Sequence, residues 1–219
     1  MILVLLLGCK SVEPAPQDID GLSHYFWQHY DNEDDAVIAS GITNAFLAID
    51  PENLTEAMKG SISNLNQEEL ALVGKELENP EDMSGIFFAN IIHCPISIVE
   101  KGVYATNQDE RHDGDYSAYN REYTSDLEAY ENRQTNRLTW KTNYTVDSLG
   151  QSLSAEINGA IRFISDEFDQ PLGPFFLSRG ILAEDAYFEG SDSRGMFQDY
   201  QLEVYFPISE NKTLHYFTI

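Results

Sequence analysis

The apolar positions of this chain change their period partway along. Up to about Asn79 they recur at helical spacing. Leu22, Phe26 and Tyr30 stand at i, i+4 and i+8, with Trp27 widening the stripe and Asp18 or Asp20 placed to cap it. Ile38, Ile42, Ala45, Phe46 and Ile49 mark a second helix from about Asp34, which Asp50-Pro51 stops. Asn66 with Glu69 three residues later is a capping-box pattern, and Leu65 with Leu70 is the matching hydrophobic staple. Residues 18–79 therefore read as a helical segment. Helices this short cannot bury their stripes alone, so they must pack on one another or on a sheet built from the rest of the chain.

From about residue 80 the period is two. Ile86–Ile92 reads as a buried strand, and Pro95 stands at the first position of a helix reaching Tyr104. Asp109–Asp115 reads as a loop, and Tyr116–Tyr123 as a short helix, a strand, or both. From Leu138 the alternation is clean. Leu138, Trp140, Thr142, Tyr144 and Val146 share one face, and Leu153, Ala155, Ile157, Gly159, Ile161 and Phe163 repeat the pattern. Phe175–Ala183, Tyr200–Phe206 and Leu214–Ile219 come next, separated by turn-forming stretches such as Asp147-Ser148-Leu149-Gly150. This predicts an antiparallel meander with one apolar and one wet face, helices covering the apolar one. The expected fold class is α+β, an N-terminal helical segment followed by an antiparallel sheet domain over 80–219.

The chain has 219 residues, of which 42% are hydrophobic and 12% aromatic, enough to fill a core. Acids outnumber bases 37 to 13, for a net charge of −24. Such a field repels phosphates, which argues against a nucleic-acid partner and favours cations or basic partners. The two cysteines do not make a disulfide framework, and Cys94 sits in the apolar run Ile91-Ile92-His93-Cys94, where it is expected to pack. No stretch reaches the roughly 18 apolar residues of a spanning helix.

No constellation names a reaction. The Gly-x-Ser-x-Gly elbow, the phosphate-binding glycine loops, His-Glu-x-x-His and Cys-x-x-Cys do not occur. His24 and His29 are five apart, about 140° around a helix, which suits a polar rim better than a metal pair. Asp109–Asp115 has a superficial calcium-loop look, but Arg111 and Asn120 stand at ligand positions. Asp31–Asp35 lacks the turn glycine, with Ala36 in its place, and Ile42 stands where the final Glu belongs. The reading leans away from an enzyme: no catalytic residue, metal or cofactor is assigned. The candidate ligand-binding residues are Arg162 and Arg179, cations in strands among few others, and Trp140 and Tyr144.

Leu6-Leu7-Gly8-Cys9 resembles the lipobox of bacterial lipoproteins, with Leu three before the cysteine and a small residue just before it. The resemblance implies that the Cys9 thiol is diacylglycerated, that a peptidase cuts before it, and that the new amino terminus is acylated. Residues 1–8 would then be the end of a signal peptide, with Met1 internal to a longer precursor and 9–17 a lipidated cysteine and its proline-bearing tether. The lipid anchor would hold the chain at the cell envelope. Lys10, rather than Asp, after the cysteine implies the outer membrane by family analogy. The order of strand, helix and meander over Gly85–Ile219 resembles the START-like helix-grip (SRPBCC) superfamily. That resemblance implies a curved sheet wrapping a C-terminal helix and enclosing an apolar cavity for lipids, sterols, polyketides or hormones. The chain stops at His215–Ile219 in mid-strand, so either its C-terminus is truncated or the analogy fails. The chain as a whole resembles lipoproteins of social soil bacteria, which implies no activity. Two functions are expected from this: a lipid-anchored protein binding a hydrophobic ligand, or a structural lipoprotein whose acidic surface or aromatic helices bind a protein partner.

Overall fold

A computed structural model describes residues 14–76, 83–111, 114, 116–148, 150–165 and 173–219. The lipobox-like stretch with Cys9, and His112, Asp113 and Asp115 of the acidic loop, lie outside the described residues. Asp18 caps α1 (Ile19–His29), accepting from the Gly21 N–H at 2.9 Å. Asp34 caps α2 (Asp35–Ile49), which ends at Asp50 in the left-handed region, φ 49°. The two helices pack closely because Gly41 has no side chain: a Cβ there would stand 2.7 Å from the Phe26 ring. The tether reading of residues 9–17 needs correction at its end. Ala15 is buried, and the Asn44 amide donates to the carbonyls of Ala15 and Pro16 at 2.8 and 2.9 Å, so this stretch is docked.

The helical segment is also interrupted. A strand, β1 (Met58–Ile62), precedes α3 (Gln67–Ala71), whose Asn66–Glu69 capping box is formed. Next come β2 (Gly85–Ile92), α4 (Ile96–Tyr104), α5 (Gln108–Arg111), β3 (Ala118–Tyr123) and α6 (Leu127–Glu131). The long strands are β4 (Arg137–Ser148), β5 (Gln151–Ile164), β6 (Phe175–Leu182), β9 (Tyr200–Ser209) and β10 (Lys212–Thr218). A small ribbon of β7 (Ala186–Tyr187) and β8 (Gly195–Met196) sits between β6 and β9 in the chain.

One antiparallel sheet runs in the order β1-β2-β10-β9-β6-β5-β4-β3. Strands β3, β4, β5, β6, β9 and β10 make a meander. The early strand β2 then pairs with the last, Phe88 opposite Phe217, so sequence-distant ends of the chain meet inside the sheet. The architecture is α+β, with N-terminal helices and a large antiparallel sheet.

The expectation of one wet face is overturned. Alternation holds, but both faces of the central strands are buried. On the first face Leu177, Val204, Phe206, Leu214 and Tyr216, each at most 1% exposed, pack under Leu22, Phe26, Ile38 and Ala45 of α1 and α2. On the second face Leu138, Trp140, Ile161, Phe176 and Tyr205 form a separate cluster with Val99 and Val103 of α4 and with Tyr130 of α6. Among the described residues no helix is long and apolar enough to cross a membrane.

Candidate functional site

The second face is not filled. Trp140, Gly159, Gly180 and Gln201 stand in one row across β4, β5, β6 and β9. Ile161, Ser178, Glu203 and Phe217 form the next row, and Phe163, Phe176, Tyr205 and His215 the one after. Three adjacent central positions thus carry little or no side chain: Gly159, Gly180 and Ser178. Large rings surround them, so the middle of the sheet is hollow. The resulting cavity is about 1250 Å³, and strands from β10 to β3 all contribute to its wall.

Gly159 does more than leave space. A Cβ on it would stand 2.0 Å from the Trp140 Nε1, so the indole lies flat across the glycine and forms part of the floor. Above Trp140 sits Arg121 of β3, its guanidinium carbon 4.8 Å from the ring centroid. Arg121 also donates to the Thr142 hydroxyl at 3.0 Å and to the carbonyls of Val103 and Ala105 at 2.7 and 3.2 Å. Its burial pulls the guanidinium below its ordinary pKa. With Gln108, which donates to the Gly102 carbonyl at 2.6 Å, Arg121 satisfies the C-terminal carbonyls of α4 and ties that helix over the cavity. The other side of α4 is held by Glu100. It accepts two bonds from Arg133 at 2.7 and 2.6 Å and one from the Tyr130 hydroxyl at 2.6 Å.

The walls are largely apolar: Ile92, Val99, Val103, Tyr116, Tyr144, Val146, Leu153, Ile157, Phe188 and Met196. Ile98 lines the cavity and is also 56% exposed, which places the mouth beside α4. Polar groups occupy two patches. One is Arg121 with Thr142 and the buried Tyr119 hydroxyl. The other is His215, which bonds Glu203 at 2.8 Å and Asn90 at 3.2 Å and stacks on Tyr205 at 4.4 Å. The Tyr205 hydroxyl donates to the same Glu203 carboxylate. Burial raises the Tyr144 phenol to about 12, so it faces the cavity neutral.

The four ligand-binding candidates do not form one site. Trp140 and Tyr144 line the cavity. The side chains of Arg162 and Arg179 lie on the opposite face, under the turn between α1 and α2. Arg162, 1% exposed, donates to the Tyr30 carbonyl at 2.6 Å and pairs with Asp35. Arg179 pairs with Asp31 at 2.8 Å and lies over the Tyr30 ring, its guanidinium carbon 4.0 Å from the centroid. Arg137 joins Asp31 from the other side. Asp31 and Asp35 are therefore committed to arginines, and Asp34 caps α2. Among the described residues no three His, Cys, Asp or Glu side chains gather as a metal site. Sequence reasoning missed Arg121 and α4 as parts of the cavity wall. Two signals pointed there: the alternation Tyr119-Arg121-Tyr123, and glycines inside strands at 159 and 180.

No family model matches the chain, and no curated protein matches it. Among solved structures it is similar to the human StarD13 (DLC2) lipid transfer and protein localization domain. That likeness has 12% sequence identity, covers 74% of each chain and has a TM-score of 0.40.

Proposed function

We propose that this protein binds an apolar small molecule or lipid in the cavity between the second sheet face and α4, while anchored to the cell envelope through Cys9. One observation carries the binding reading: a cavity of about 1250 Å³ whose walls are mostly aromatic and aliphatic. Ligand sites commonly enclose about 300–1,000 Å³, so this one has room for a lipid-sized guest. The hollow results from Gly180 and Ser178 at the sheet centre, small where a larger side chain would fill it, and from Gly159, which lets the Trp140 indole lie against the sheet. The polar patches, Arg121 with Tyr119 and Glu203 with His215, would orient a guest that carries a polar head. The competing reading, a structural lipoprotein that docks a protein partner, expects a filled sheet. The cavity favours binding.

Native mass spectrometry of the purified full chain tests this, followed by titration with N-phenyl-1-naphthylamine after delipidation. A co-purifying apolar mass and saturable dye binding are expected, with Ile157→Trp weakening the dye at least tenfold by filling the void. A bare mass and no dye binding would overturn the proposal. The anchor rests on the lipobox-like Leu6-Leu7-Gly8-Cys9. Cys9→Ala should abolish labelling by an alkyne fatty acid, and unchanged labelling would refute it.

A further inference from the structure

A second pocket of about 710 Å³ lies between α1, the end of β1, the start of β2 and the residues before β9, adjoining the first cavity at Gly195 and Met196. Its walls include Trp27, Leu65, Met83, Phe197 and Tyr200. At its rim three side chains from three separate elements form a hydrogen-bonded line. The Ser63 Oγ stands 2.9 Å from His24 Nε2, and His24 Nδ1 stands 2.7 Å from Glu69 Oε1. Ser63 is exposed, His24 is half-buried and Glu69 is buried. We propose that Ser63, His24 and Glu69 form a nucleophile–base–acid triad that hydrolyses carboxylic esters whose apolar part occupies this pocket.

Each part has a defined role. Glu69 is held rigidly: besides His24 it accepts from Gln28 at 2.9 Å and from the Asn66 backbone N–H at 2.8 Å. Burial alone would raise its pKa, but the bonds from His24, Asn66 and Gln28 outweigh that and hold it below the usual carboxylate range. A fixed carboxylate at Nδ1 keeps the proton of neutral His24 on that nitrogen and leaves the Nε2 lone pair aimed at the Ser63 hydroxyl. In the reaction Ser63 Oγ bonds to the ester carbonyl carbon while its proton passes to Nε2. The carbon–oxygen bond to the alcohol breaks, and the departing oxygen takes that proton. Water then attacks the acyl-serine through the same base, releasing the carboxylic acid and restoring Ser63. Ser63 and Glu69 lie 39 and 45 positions from His24 in the chain, so no local motif announces them.

Asp20 sets the conditions under which the triad works. Its carboxylate accepts from the Ser63 backbone N–H at 2.6 Å and from the Ser63 hydroxyl, whose Oγ stands 2.8 Å from both carboxylate oxygens. Ser63 has one hydroxyl proton and two acceptors for it. When His24 is charged, Nε2–H donates to Oγ and the hydroxyl proton turns to Asp20, so the serine is idle. When His24 is neutral, the Nε2 lone pair competes with Asp20 for the hydroxyl proton, and the rotamer that turns it to Nε2 is the competent one. The hydrogen bond to Glu69 is the main cause that raises His24 above its ordinary pKa, with the Asp20 charge adding to it. The charged groups facing the imidazole are Glu69 from α3 and Asp20 from α1. The competent form therefore grows in above the ordinary histidine pKa.

The test is labelling of the full chain with a fluorophosphonate, in which Ser63 Oγ displaces fluoride from phosphorus. The adduct is mapped by peptide mass spectrometry, alongside hydrolysis of p-nitrophenyl butyrate. The adduct should sit on Ser63, rise with pH between 6 and 9, and vanish in Ser63→Ala. His24→Gln keeps hydrogen-bonding atoms near both partners without a base, and should slow labelling at least about 100-fold. A structural tie between α1, β1 and α3 would not produce a pH-dependent covalent adduct. No adduct on Ser63 in the folded protein, or an adduct rate unchanged by His24→Gln, would overturn the proposal.

Discussion

Gly159 and Gly180 face each other across β5 and β6 on the cavity floor, and they should respond oppositely to the same substitution. A Cβ at 159 would lie 2.0 Å from Trp140 Nε1 and 2.3 Å from Cε2. Normal contact begins near 3.5 Å, so the indole must retreat about 1.5 Å, and the only room is the cavity, toward Arg121. Overpacking of this kind costs about 1–3 kcal/mol. Replacing a strand glycine returns roughly 0.5–1 kcal/mol of backbone entropy, so Gly159→Ala should destabilise by about 1–2 kcal/mol. At 180 the nearest atoms are Ile157 Cγ2 at 3.4 Å and Gln201 Oε1 at 3.5 Å, ordinary contact. Gly180→Ala should therefore be neutral or slightly stabilising. Urea midpoints at constant m-value measure both, and the naphthylamine titration reports whether the displaced indole intrudes on the cavity. Adding Trp140→Leu to Gly159→Ala should recover part of the loss, because the collision is gone. The reasoning fails if the two alanine variants unfold at the same midpoint and bind dye equally.

Two further perturbations probe buried charge. Asp199 is buried beside the second pocket, and desolvation raises it from 3.8 to about 6, with Gln201 partly opposing. Between those values the native state holds more protons than the unfolded chain, so stability falls as pH rises from about 4 to 6. Asp199→Asn should thus add roughly 1–3 kcal/mol at pH 8 and nothing at pH 3.5, read from urea melts; an equal effect at both would refute the sign. Removing Asp35 leaves Arg162 buried with the Tyr30 carbonyl as its remaining bonded acceptor, so Asp35→Ala should cost about 3–5 kcal/mol. The pair Asp35→Ala with Arg162→Met should regain most of that, and a double variant no more stable than the single would count against the argument.

What the chain discloses locally was legible. Asp18, one of the two caps offered for the first helix, and Asn66 cap their helices as expected, because capping needs only residues within three positions. The long strands β4 and β5 could be read from alternation alone. β1 could not, since Met58-Lys59-Gly60-Ser61-Ile62 carries little apolar pattern. It is a strand because the free edge of β2 offers backbone partners from Met58–Ala89 to Ile62–Gly85. Face assignment failed for a similar reason. In β6, Phe175-Phe176-Leu177-Ser178 is buried on both sides, and only its pairing with β5 and β9 shows that Ser178 meets the cavity while Arg179 meets α1. Within β5 the parity was readable: Arg162 sits next to Ile161 and must face the other way. That separates Arg162 from Trp140, whose partner across the strands is Gly159. The Ser63–His24–Glu69 line had no such cue, because each residue arrives from a different element.

On the proposed binding function, the two faces of the sheet divide the work of folding and binding. A hollow apolar face forfeits dispersion contacts that a filled one would make. Here the opposite face carries the dense packing: Phe175, Leu177, Val204, Phe206, Leu214 and Tyr216 are at most 1% exposed beneath two helices. The arginines at 137, 162 and 179 then fix the turn between those helices to three neighbouring strands through Asp31 and Asp35. The strands are thereby held from behind, and their cavity side need not supply the packing that keeps them in register. Substitutions on the cavity side, such as Gly180→Ala or Ile157→Trp, should therefore alter the guest more than the fold. Substitutions at Leu177 or Val204 should do the reverse, because those side chains are where α1 and α2 meet the sheet.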